Sequence, residues 1–62
     1  MKRTHFLIEK NEDGKYEVTK SITCTVVGEM VDGAKVWENV DNEDDEQYWL
    51  TRVGGQYYFV HF

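Results

Sequence analysis

The pair Gly54-Gly55 stands between two runs of β-branched and aromatic residues, 48–53 and 56–62. Two successive glycines can both adopt positive φ, which a two-residue β-hairpin turn requires. Such a turn fixes register: Val53 faces Gln56, Thr51 faces Tyr58 and Trp49 faces Val60, with Phe62 on the same side. The other side carries Tyr48, Leu50 and Arg52 opposite His61, Phe59 and Tyr57. Both sides are substantially apolar, whereas a hairpin with one wet face alternates more cleanly. The hairpin must therefore be folded into a barrel, sandwiched, or covered by another molecule.

The segments upstream are also read as strands. Met1-Lys2-Arg3 is expected to fray, and the even positions Thr4, Phe6 and Ile8 can share a face. The cluster Asn11-Glu12-Asp13-Gly14 is a turn signal. A three-residue loop with Gly14 in the left-handed position sets Ile8 opposite Val18 and Thr4 opposite Ile22, whereas a two-residue turn sets Phe6 opposite Ser21. The apolar pairing favours the three-residue form. Residues 15–27 alternate with period two, placing Tyr16, Val18, Ile22, Cys24 and Val26 on one face with Lys20 as an interruption. So long a strand is expected to bend at Gly28. Asp32-Gly33 predicts a third tight turn, of the two-residue type, with Val31, Val36 and Val40 on one face and Met30 and Trp37 on the other.

No window shows apolar residues at helical spacing. The expectation is a single all-β domain over residues 1–62, an antiparallel meander of five or six strands curled into a small SH3-like or partly open barrel. The comparison is architectural, because no sequence motif of those families is present.

A chain of this length buries only about 60% of its unfolded surface, so its core needs a supplement. Cys24 is the sole cysteine, which excludes an internal disulfide and fits a reducing, cytoplasmic setting. Homo-oligomerisation is the available supplement. No apolar run approaches the length of a membrane span, and no signal-peptide core is present, so no membrane partner is expected.

Charge narrows the function classes. The net charge is −5, with five basic and four acidic residues in 1–20 but two basic and eight acidic in 21–62. Direct nucleic-acid binding is not expected, since it needs clustered Lys and Arg. The segment 41–47 holds five acids among its seven residues and reads as a solvated loop. Asp41, Glu43 and Asp45 resemble the start of a calcium loop, but the glycine and the final glutamate of that motif are missing, so no metal is expected. His5, His61 and Cys24 lack zinc spacing. Cys24 lies mid-strand among apolar residues, where a thiol is inert packing, and no cofactor motif or enclosed catalytic cleft is indicated. A non-enzyme is expected.

What remains is binding. Trp, Tyr and Arg dominate interface energetics, and the hairpin carries all three. The expected partner is another protein with a basic surface, contacted by Trp49, Arg52, Tyr57 and Tyr58 and steered by Asp41, Glu43, Asp44, Asp45 and Glu46. Small size and acidity match a stoichiometric inhibitor or accessory protein of the kind phages use, in which acids imitate a phosphate backbone, although no motif of such a protein is present. The alternative expectation is a homo-oligomer that sequesters a small anionic or nucleotide ligand between chains, with Tyr57 stacking and Arg52 pairing its charge.

Overall fold

A computed structural model describes residues 1–41 and 45–62. The described residues form five strands: β1 (Lys2–Lys10), β2 (Tyr16–Glu29), β3 (Lys35–Asn39), β4 (Gln47–Val53) and β5 (Gln56–His61). They close into a barrel in the order β1-β2-β3-β4-β5. Sequential neighbours pair antiparallel, and β1 and β5 close the ring as a parallel pair. That parity is forced: in an up-and-down meander with an odd number of strands, the first and last run the same way.

The C-terminal hairpin has the register that its glycines predict. Val53, Thr51 and Trp49 pair with Gln56, Tyr58 and Val60, and Gly54 and Gly55 take φ of 59° and 82°. Its inward side is the one bearing Tyr48, Leu50 and Phe59. Phe62 is tied down by its backbone N–H, which donates to the Gln47 carbonyl at 3.2 Å.

The first hairpin combines the two registers considered above. The loop is the three-residue Glu12-Asp13-Gly14 form, with Ile8 opposite Val18 and Gly14 at φ 79°. Asn11 Oδ1 accepts from the backbone N–H groups of Asp13 and Lys15 and braces the turn. A bulge at Thr19 then shifts the pairing, so that Phe6 meets Ser21 and Thr4 meets Thr23, not Ile22. The Thr19 hydroxyl donates to the Leu7 carbonyl and to Glu9 Oε1, which holds the extra residue in place.

The bulge changes which residues face the core. One inserted residue reverses side-chain parity. Ile22 and Cys24 are buried, with Val26 packed against them, but Tyr16 and Val18 point outward and are exposed. On β1 the buried residue is Leu7, while Phe6 is 46% exposed. Arg3 is not frayed: it pairs with Cys24 inside β1.

The bend expected at Gly28 is a bulge at the neighbouring Val27, since Val26 pairs with Trp37 and Gly28 with Val36. The next turn is a three-residue loop, Val31-Asp32-Gly33, and not a two-residue one. Met30 N–H donates to the Ala34 carbonyl at 2.7 Å, and Gly33 supplies the positive φ of 92°. Trp37 accordingly points inward, while Val31 and Val40 are exposed.

Phe59 is the hub of the core. Its ring meets Trp37 at 5.5 Å, Tyr48 at 6.3 Å and His5 at 5.5 Å, all in tilted or edge-to-face geometry. Leu7, Ile22 and Cys24 complete the buried cluster.

Candidate binding surfaces

Register places the outward side chains as firmly as the inward ones. Val18 on β2 lies opposite Ile8 on β1, Ile8 opposite Val60 on β5, and Val60 opposite Trp49 on β4. Directly opposed residues share a face. Four apolar side chains thus form one row across four strands on the outside of the barrel. The row beside it runs through Phe6, Tyr58 and Thr51. Tyr16 and Phe62 extend the belt at its margin by the period of two. Val60, in the middle, is only 8% exposed, screened on the two sides where Ile8 and Trp49 stand. Val18 and Trp49, at the ends of the row, are 54% and 38% exposed. A continuous apolar area of this kind is a candidate interaction site, which scattered single hydrophobes are not.

The acids gather at one end of the barrel, beyond the belt. Glu9 lies directly opposite Glu17, on the side of their strands away from Ile8 and Val18, while Lys10, on the belt's own side, stands 5.7 Å from the Tyr16 ring centre. The Glu9 carboxylate stands 3.5 Å from His61 Nε2, and the Glu46 carboxylate stands 3.4 Å from His61 Nδ1. Asp41 and Asp45 are exposed at the same end, where β3 hands over to β4. Glu43 and Asp44, expected to steer a partner, lie outside the described residues.

The residues expected to make contact divide between two surfaces. Trp49 and Tyr58 belong to the outer belt. Arg52 and Tyr57 lie near the Gly54-Gly55 tip, at the other end of β4 from Glu46. Seven residues of strand span about 20 Å, so the acids and Arg52 do not form one patch.

At that far end the barrel gapes. Among the described residues β3 and β4 pair only through Trp37–Tyr48 and Glu38–Gln47, and β1 and β5 only from Phe6–Tyr58 to Ile8–Val60. The tip of the β4–β5 hairpin therefore stands away from both neighbouring strands. A half-open cavity of about 290 Å³ lies there, lined by Arg3, Lys35, Trp37, Trp49, Leu50 and Tyr57, with Met1 and Ala34 at its edge. The Arg3 guanidinium sits 5.0 Å from the Tyr57 ring centre, and that of Arg52 sits 5.7 Å from it. Arg3 and Lys35 escaped the sequence reading because they come from β1 and β3, remote in the chain from the hairpin. The only available signal was that Arg3 shares parity with Leu7.

His5, two residues from Arg3, packs its ring 5.9 Å from Tyr57. Burial lowers its pKa from the ordinary 6.5, and the Arg3 charge lowers it further. Its Nε2 is enclosed without a hydrogen-bond partner among the described residues.

The fold and these surfaces define an all-β meander barrel with an apolar belt outside and a cationic aromatic mouth at one end. No family model matches the chain, and comparisons with curated proteins and with solved structures find no match. Among the described residues no helix is long and apolar enough to cross a membrane.

Proposed function

We propose that this protein is a non-catalytic binding factor that engages a basic partner protein, as a stoichiometric inhibitor or accessory subunit. The row Val18–Ile8–Val60–Trp49, crossing four strands on the outside of the barrel, carries this reading. The row is apolar where an isolated barrel would be polar, and the acids Glu9, Glu17, Asp41, Asp45 and Glu46 gather at the end of the barrel beyond it, with Lys10 among them. Together they offer an apolar centre next to a mainly acidic rim, which complements an apolar patch bordered by Lys and Arg.

The same belt is open to a second copy of this chain. Charge separates the two occupants. Two copies carrying −5 each repel, so self-association strengthens as salt screens them, whereas a basic partner binds more weakly in salt.

Native pull-down over a salt series, with Val18→Lys and the pair Asp45→Asn, Glu46→Gln as comparisons, tests the proposal. One basic protein should be retained in equimolar amount, released by rising salt and lost with Val18→Lys. The paired neutralisation should slow its association and flatten the salt dependence. Retention of that partner by folded Val18→Lys would show that the belt is not the interface.

A further inference from the structure

We propose that the open end of the barrel is a site for a small planar anion, an aromatic ring bearing a phosphate or carboxylate, held within a single chain. It shares Trp49 with the edge of the belt but otherwise uses different residues and different chemistry.

The charge pattern is the first support. In a chain with twelve acids and seven bases, the cavity is lined by two cations, Arg3 and Lys35, and by no carboxylate. Arg52 stands beside them on the shared Tyr57 ring. Among the described residues none of these three cations has a carboxylate within 4.0 Å; the acid nearest by register is Glu29, directly opposite Lys35 on β2, and it makes no ion pair with it. The Arg3 guanidinium and the Lys35 ammonium, both lining the cavity, can donate charge-assisted hydrogen bonds to an anion seated there.

The lining is the second support. Trp37 is almost wholly buried and, with Leu50, forms an apolar floor, whereas Trp49 is partly exposed and offers an indole edge or face at the mouth. A flat ring gains from stacking on such a platform. The volume, about 290 Å³, is at the small end for ligand sites, which suits one ring with its charged group and not an extended polymer. All these residues come from one chain, so the site needs no chain interface, in contrast to the arrangement expected from the sequence.

The test is a titration of the isotope-labelled protein with adenosine monophosphate and with benzoate, each against its uncharged or ring-free counterpart: adenosine, benzyl alcohol and inorganic phosphate. The indole N–H resonances of Trp37 and Trp49 and the backbone amides report the site. At least one aromatic anion should shift both indoles saturably and bind about tenfold or more tightly than the corresponding neutral ring or the free phosphate. Preference for the monophosphate or for benzoate then identifies the charged group. Arg3→Gln and Lys35→Gln should each weaken binding about tenfold with a dispersed spectrum retained. Lys15→Gln, at the opposite end of the barrel, should leave it unchanged. Equal binding of adenosine and its monophosphate together with equal binding of benzyl alcohol and benzoate, shifts centred on the β1–β2 loop, unchanged affinity in folded Lys35→Gln, or no saturable shift up to about 10 mM would each overturn the proposal.

Discussion

At the scale of single residues, His5 and the turn glycines give the most specific expectations. The His5 imidazole is held neutral by burial and by Arg3, so the unfolded chain takes up its proton at higher pH than the folded one. Stability from neutral His5 is complete above pH 6.5 and is lost as pH falls through the lowered folded-state pKa. Unfolding free energy should therefore rise with pH across the window just below 6.5, and His5→Phe should reduce that slope in denaturant titrations at successive pH values. Gly55 and Gly28 make a second contrast. Gly55 has φ 82°, so Gly55→Ala should cost about 1 kcal/mol even though a methyl group there meets no atom within 4 Å. Gly28 has no such φ, and a methyl group would rest 3.9 Å from Val36 Cβ, so Gly28→Ala should lie within about 0.5 kcal/mol of neutral. Chemical denaturation of the two variants measures both.

At the scale of elements, the seams of the barrel are unequal. β1 and β2 pair from Lys2–Thr25 to Lys10–Tyr16, but among the described residues β3 and β4 share only two pairs. Hydrogen exchange should follow that inequality, with β4 amides on the β3 side beyond Trp49 exchanging faster than those of β1 facing β2. The inner side depends on Phe59, the ring that touches Trp37, Tyr48 and His5. Phe59→Ala should cost about 3–5 kcal/mol, a large share of the about 3–9 kcal/mol expected for a chain of this size, so denaturant titration followed by circular dichroism should show the midpoint fall steeply or no folded baseline at all. Elements were legible in the sequence to different degrees. The β4–β5 hairpin was legible in its register, because two glycines favour one tight turn, but not in which of its two apolar sides turns inward. β1–β2 was half legible: the loop followed from Gly14, but the bulge at Thr19 is stabilised by hydrogen bonds to Leu7 and Glu9, which are formed only after the strands meet. Alternation alone therefore carried Tyr16 and Val18 to the wrong side.

At the scale of the whole molecule, closure was expected from the small core, but its parallel β1–β5 seam depends on strand count and lies beyond any local signal. That seam makes the outer belt, because it sets Ile8 beside Val60. For the same reason Trp49 and Tyr57 stood out as candidates from the hairpin alone, while Ile8, Val18 and Arg3 join the belt and the mouth only through pairing. The excess of apolar surface in the hairpin was visible from the outset, and the barrel leaves it on the outside.

Site-specific photo-crosslinking in native lysate addresses that surface most directly, with the probe at Val18 in the belt and, for comparison, at the fully exposed Val31 on the β2–β3 loop. A binding belt predicts one discrete adduct from position 18, to a basic protein, abolished by excess unlabelled protein and absent from position 31. Identical adducts from both positions, or none from position 18 while the protein runs as a folded monomer in light scattering, would contradict it.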